Sequence, residues 1–290
     1  MATANTRRMA RVMLAPSVAV LLVWMIVPLA LTLWYSFRIY NLLNQANNGF
    51  AGWFNYYYFL TDPSFFQAFG NTLILTVSVL AITVIGGIFL GMLLDQAIYG
   101  QGLVRILVIS PFFIMPTVAA LVWKNMMLDP NYGIFAWVTT RFGIAPIPWL
   151  ESYPLFSVIV VVSWEWLPFA TLILLTAMQS LDEERKEAAE MDGANVISLF
   201  FYIVLPHLAR AITVVILIET IFLLSVFAEI LVTTSGGPGY ATTNITYLVY
   251  HEALLNYDVG GASAGGVVAV ILANIVAIFL VRIVGKNLDA

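Results

Sequence analysis

Six stretches of this chain are long enough, and poor enough in charge, to cross a lipid bilayer. They cover residues 12–34, 69–94, 106–123, 154–178, 211–232 and 264–281. Each lies at or near the roughly 20 residues that a helix needs to traverse a hydrocarbon core about 30 Å thick. The expected fold class is therefore an all-α integral membrane protein, with six transmembrane helices in a single transmembrane domain over residues 1–290.

Composition supports this and removes other classes. Of 290 residues 61% are hydrophobic and 10% charged, with a mean hydropathy of +0.94, whereas soluble domains carry about 25% charged residues. Cysteine is absent, which excludes disulfides, thiolate metal sites and a cysteine nucleophile. His207 and His251 are far apart and form no ligand pair, so no metal is expected; each reads as a polar loop or interface residue. The net charge of −4 comes without a basic, aromatic-interleaved patch, so nucleic acid is not an expected partner.

Cationic loops resist translocation, so the distribution of Lys and Arg sets orientation. With the N-terminus inside, nine of the 12 cations fall on the cytoplasmic side (Arg7, Arg8, Arg11, Arg105, Arg185, Lys186, Arg210, Arg282 and Lys286) and three outside (Arg38, Lys124 and Arg141). Both termini are expected in the cytoplasm. The first apolar run is too long for a signal-peptide core, contains Pro16 and Pro28, and lacks a small-residue cleavage site, so it reads as a retained helix. The outer loops, residues 37–68, 126–153 and 233–263, are rich in aromatics, Asn, Gly and Pro. Tyr56, Tyr57, Tyr58, Phe65 and Phe66 suit an interfacial helix at headgroup depth.

The longest inner loop, residues 179–210, changes composition abruptly. Residues 180–193 read S-L-D-E-E-R-K-E-A-A-E-M-D-G. Ser180 and Glu183 have capping-box spacing, acids enrich the first turn, and Gly193 is placed to end the helix. A second, largely apolar segment over residues 196–204 is expected to stop at Pro206. Ala188 and Ala189, flanked by Glu187 and Glu190, would allow another backbone close approach beside acids able to pair with basic groups. A solvated connector is the plainer alternative.

This loop resembles the signature of ABC importer permeases, E-A-A, three residues, G, nine residues, I-x-L-P. It appears here as Glu187, Ala188, Ala189, Gly193, Ile203, Leu205 and Pro206 with every spacing kept. Asn55-Tyr56 with Asp62-Pro63, Asn71-Thr72, Pro116 and residues 234–238 (T-S-G-G-P) resemble the carbohydrate-uptake, maltose-type branch, so the likeness spans nearly the whole chain. Residues 212–215, 227–229 and 282–287 are similar to bacterial sorbitol/mannitol permeases. The resemblance implies a type I ABC importer permease fold, the bacterial inner membrane, and import of a sugar or sugar alcohol. It implies that the loop over residues 179–210 forms a coupling helix docked on a cytosolic ATPase: Glu187 bonding to it, Ala188 and Ala189 in close contact, Gly193 supplying the turn. Also implied are a second permease subunit, an ATPase dimer and an external solute-binding protein. The chain has no G-x-x-x-x-G-K-[ST] loop, so it is not itself an enzyme, and ATP with its Mg2+ would be bound by the ATPase partner.

Three acids lie within the expected spans: Glu165, Glu219 and Glu229. A carboxylate at that depth costs about 2.5–3.5 kcal/mol on insertion scales, so each should face a cavity or a partner. Glu219, Phe222, Leu223 and Val226 fall at i, i+3, i+4 and i+7 and would share a pathway-lining face, whereas Glu229 is near enough to the outer end to reach water. A carboxylate can accept from adjacent hydroxyls of a polyol, and Trp164, Trp166 and Phe169 flank Glu165. Set beside maltose permeases, the family's substrate-contact positions fall on Phe113, Thr117, Glu165, Phe169, Glu219, Phe222, Leu223 and Val226, with several identities changed, acids standing here for neutral groups. A buried pairing or packing role is the alternative for each acid. Pro111, Pro116 and Pro168, with Gly86, Gly87 and Gly91, imply kinks and close packing. The rival class, an ion-coupled secondary transporter, should show an inverted repeat between halves, and none is evident.

Overall fold

The computed structural model describes residues 4–44, 46, 48–96 and 99–288, and the chain is helical through most of them. The elements in order are α1 (Ala4–Ser36), β1 (Arg38–Ile39), β2 (Gly49–Phe50), α2 (Phe54–Thr61), α3 (Pro63–Asp95) and α4 (Gln101–Ile109), which runs into a 3-10 turn, Ser110–Phe113. Next come α5 (Pro116–Val122) with a π turn, Trp123–Met127, then α6 (Ile134–Arg141), α7 (Trp149–Ser152), α8 (Pro154–Gln179) and α9 (Glu183–Met191). The chain closes with α10 (Val196–Leu199) and a π turn, Phe200–Val204, followed by α11 (Leu205–Leu223), α12 (Ala228–Thr233), α13 (Ile245–Tyr250) with a π turn, His251–Leu255, and α14 (Val259–Leu288). Two compact units result: residues 1–62 with 249–270, and residues 63–248 with 271–290. The side chains of Arg7, Arg8, Lys286 and the rest of 283–287, which enter the orientation and the resemblance, lie outside the described residues.

In the first unit, β1 and β2 pair antiparallel beyond the end of α1. The buried Asn55 amide donates to the Ser36 carbonyl at 2.9 Å and the Arg38 carbonyl at 2.8 Å, and the Tyr56 hydroxyl donates to Ser36 Oγ at 2.7 Å. Carbonyls orphaned where α1 ends are thereby satisfied. Tyr56 is thus half-buried, while Tyr57 and Tyr58 are exposed on α2. Phe65 and Phe66 belong to the next helix, with Phe65 buried, so the five rings do not share one interfacial helix.

The core of the second unit is built on α3 against α8. In lipid, helices gain little from apolar burial and associate through close packing of small residues. A Cβ on Gly87 would come within 3.0 Å of Ala170 Cβ and 3.1 Å of the Thr171 backbone nitrogen; a Cβ on Gly86 would come within 2.8 Å of Leu167. Ala170 and Leu174 continue this contact to Val215 of α11.

Among the described residues, five helices are long and apolar enough to span a bilayer, or six when one bent pair is taken as one span. Four run longer than the sequence suggests: Arg11–Ser36, Pro63–Asp95, Val196–Leu223 and Val259–Arg282. Pro168 leaves α8 continuous. Two spans differ in kind. The third is not a single rod: Gln101–Phe113 and Pro116–Met127 meet at 105°. Ile114 and Met115 are extended there (ψ 134° and 135°), as steric conflict with a following proline ring requires of Met115. The fifth breaks between Leu223 and Ala228 without a proline or glycine. The freed carbonyls are satisfied from elsewhere: Asn244 Nδ2 donates to Val226 at 2.6 Å and Thr246 Oγ1 to Leu224 at 3.0 Å.

Pro206 does not stop a helix as expected. The π turn at Phe200–Val204 lies in the turn where a proline at 206 loses its N–H bond and crowds the backbone, and the helix continues from Val196 to Leu223.

Candidate functional site

Two regions carry the residues singled out by the sequence, both within the second unit. The first is the bend of the third span. Phe112 stacks on Phe169 at 5.6 Å between centroids and meets Trp166 edge-on at 5.8 Å; Trp166 contacts Phe169 at 5.8 Å and Phe222 at 5.1 Å; Phe113 adjoins Phe112 at 5.8 Å. Five rings from three segments form one cluster. It is open on one side: Phe113 is 78% exposed and Phe222 53%. Thr117, in the first turn of α5, is exposed as well.

The remaining expected contact positions are elsewhere. Glu219 is fully buried and accepts a 2.6 Å hydrogen bond from Thr83 Oγ1. Leu223 and Val226 are also buried, and Val226 falls in the break after α11. The four-residue stripe expected on one pathway-lining face is therefore split, Phe222 outward and Glu219, Leu223 and Val226 inward: Phe222 and Leu223 stand about 100° apart around the helix, and only the Leu223 side is covered by neighbours. Glu165 is buried with both carboxyl oxygens lacking a hydrogen-bond partner among the described residues, and the Glu229 carboxyl lies close enough to interact with it. Glu229 does not reach water as expected: it is 4% exposed, held inside by the turn that starts α12. The other end of α12 receives Lys124, whose Nζ donates to the Val232 carbonyl at 2.8 Å, a cation at the negative end of the helix.

The second region is the loop between α8 and α11. The nine-residue α9 has no buried residue; Glu187 and Ala188 are exposed and Ala189 is half-buried. Gly193 follows the helix at φ +86°, a left-handed conformation that glycine adopts without steric penalty. Gly193 N–H bonds to Glu190 at 3.0 Å and Ala194 N–H to Ala189 at 2.9 Å, the two bonds of a Schellman ending. Asn195 then caps α10, accepting from Ser198 N–H at 2.8 Å. The start differs from expectation: Ser180 forms no capping box, because it ends α8, bonding to the Ala177 carbonyl at 2.7 Å with His207 Nε2 3.1 Å away. Asp182 stands at the N-cap position of α9 instead. Met191, Val196, Ile197, Phe201 and Tyr202 add an exposed apolar surface around this turn. Lys186 Nζ is 3.9 Å from Asp95 Oδ2 at the end of α3.

The scattered motif residues converge too. Asn71 Nδ2 donates to the Tyr240 and Thr243 carbonyls, both at 2.9 Å, and Thr72 Oγ1 accepts from Ile245 N–H at 3.1 Å. They pin residues 240–245 to α3, and Thr243 Oγ1 in turn donates to the Gly236 carbonyl of the 234–238 loop at 3.0 Å. Gly236 sits there at φ +80°, where a Cβ would come within 2.5 Å of the Tyr247 ring. Sequence reasoning did not find Phe112, Thr83 or the Asp95–Lys186 pair, which emerge only when distant segments are brought together. For Phe112, its place in the Phe112-Phe113 pair before Pro116 was an available signal.

The profile of the family described as "Binding-protein-dependent transport system inner membrane component" matches residues 6–290. A probable ABC transporter permease protein of Sinorhizobium fredii is 34% identical over 251 residues, 86% of this chain and 81% of that protein. The trehalose/maltose transport system permease protein MalF of Thermococcus litoralis is 31% identical over 253 residues, 86% and 85% of the two chains. A chain of a bacterial ABC transporter that imports the acidic polysaccharide alginate has the same fold, with a TM-score of 0.81 at 21% identity over 97% of this chain and 96% of that one. The chain therefore belongs to the binding-protein-dependent transport system inner membrane components, a permease subunit of an ABC importer with the type I fold, and a transport component rather than an enzyme.

Proposed function

We propose that this permease imports a sugar or sugar alcohol, and that the five-ring cluster at the bend of the third span is the surface it offers to the solute. The open aromatic cluster itself carries this reading. Aromatic faces suit the C–H side of a polyol, and Phe113, Phe169 and Phe222 coincide with contact positions implied by the resemblance to maltose-type permeases, with Trp166 between them. The relative named for trehalose/maltose transport, and the sn-glycerol-3-phosphate transport system permease protein UgpA of Brucella suis, 27% identical over 277 residues (95% of this chain and 94% of that protein), support a small hydroxylated solute. Within that class a hexitol-like molecule is our choice, supported by the resemblance of residues 212–215, 227–229 and 282–287 to sorbitol/mannitol permeases. Of the other implied contact positions Glu165, Glu219, Leu223 and Val226 are buried and only Thr117 is open to a solute.

In this reading α9 is the coupling helix. Glu187 and Ala188 are available to a cytosolic ATPase dimer, Ala189 is the small residue at the contact, and the Gly193 turn fixes the exit. ATP and Mg2+ belong to that dimer. A second permease subunit covers the open side of the aromatic cluster, an external solute-binding protein delivers the solute, and both termini are cytoplasmic.

Uptake by the reconstituted complex, measured against a panel of hexitols, disaccharides and glycerol phosphate, tests this. Competition by hexitols, weakened when Trp166 is replaced by alanine, is expected. Indifference to every neutral polyol would contradict the assignment.

A further inference from the structure

We propose that Asp95 and Lys186 form an electrostatic latch that fixes the orientation of α9 against the end of α3, so that motion of α9 passes into the membrane helices. This rests on the reading of α9 as the coupling helix.

A nine-residue helix without a buried residue is not held by core packing, and helices this short are marginal on their own. The ion pair supplies a fixed point: Lys186 Nζ lies 3.9 Å from Asp95 Oδ2, with the two side chains 24% and 29% exposed. Asp95 is the last residue of α3, and the terminus it stands on is well secured. The Leu94 carbonyl accepts from Gln101 Nε2 at 2.8 Å and from Arg105 Nη2 at 3.0 Å, and Leu94 itself is 2% exposed. Lys186 and Arg105 thus both bring positive charge to the negative end of α3.

The geometry also separates two tasks on adjacent residues. Lys186 turns inward to α3, whereas Glu187, about 100° further around the helix, remains exposed. One residue holds the helix and the next is free to meet a partner. The other end of the lever is equally defined, since α3 packs on α8 through Gly87 and bonds to α11 through Thr83. Partly exposed pairs are individually weak, which sets the expected effect at about two- to fivefold and not at complete loss.

The test uses the full complex in proteoliposomes, with both permeases, the ATPase and loaded binding protein, and reads solute imported per ATP hydrolysed. Asp95→Lys and Lys186→Glu alone should each lower this ratio about two- to fivefold while the ATPase still co-purifies. The combined exchange should return it to within about twofold of the unaltered protein. If a reversed charge prevents insertion, Asp95→Asn and Lys186→Gln should show the same direction with smaller size. Single variants with an unchanged ratio, or an exchange as defective as its parents, would overturn the latch. Import by the unaltered complex without ATP would overturn the coupling reading itself, a result distinguishable from failure of the latch alone.

Discussion

Thr83 on α3 and Glu219 on α11 meet through a 2.6 Å hydrogen bond at a point where Glu219 has no solvent exposure. The bond joins two helices 136 residues apart in sequence and gives the carboxylate a donor in place of water. Removing the hydroxyl with Thr83→Val should destabilise the chain by about 1–3 kcal/mol, the cost of leaving a buried acceptor unmet. Glu219→Gln keeps an acceptor oxygen and should unfold within about 1 kcal/mol of the unaltered protein. Thermal unfolding in detergent measures both. Because Glu219 is enclosed, Glu219→Gln should also leave the apparent affinity for solute unchanged; a weakened affinity at unaltered stability would place the carboxylate in the pathway.

The rings of the aromatic cluster should behave differently. Truncating Trp166, Phe113 or Phe222 to alanine removes stacking worth about 0.5–1.5 kcal/mol, so the KM for uptake should rise by up to about tenfold. Assembly with the ATPase should be preserved, since Trp166 stands about 20 Å along α8 from the end that leads to α9. An unchanged KM in all three variants would exclude the cluster as the solute-facing surface.

On the cytoplasmic loop, Glu187→Lys should reduce ATPase co-purification by placing a like charge against a basic partner surface. Gly193→Val should act through the backbone, because a β-branched residue at φ +86° is strained by about 1–3 kcal/mol. Its expected signature is loss of coupled transport with normal membrane insertion, read by comparing chain abundance with uptake.

Orientation can be mapped directly because the chain contains no cysteine. Tyr132 and Met191 are 90% and 89% exposed. With both termini inside, Tyr132→Cys should react with a membrane-impermeant maleimide on the outer side, and Met191→Cys only after the inner side is opened. The reverse pattern would invert the topology.

Most of the architecture was legible because long apolar runs have one solution in lipid, the helix. The Gly193 turn was legible for a related reason: the left-handed ending of α9 has a residue type attached to it. The break at 224–227 was not, since the groups that make it tolerable, Asn244 and Thr246, lie about 20 residues away and only the fold brings them to the orphaned carbonyls. Periodicity placed Glu219, Phe222, Leu223 and Val226 on one stripe, yet it cannot say where a helix ends or which part of a stripe a neighbour covers. Ser180 was misplaced by local spacing: its hydroxyl serves the helix it ends, not the helix that follows.

The most direct test of the central claim is ATP hydrolysis by the complex purified from its own membranes, with and without polyol-loaded binding protein. The account predicts that a second permease and an ATPase co-purify and that the loaded binding protein stimulates hydrolysis. A chain that is stable alone and moves solute under an ion gradient without ATP would contradict it.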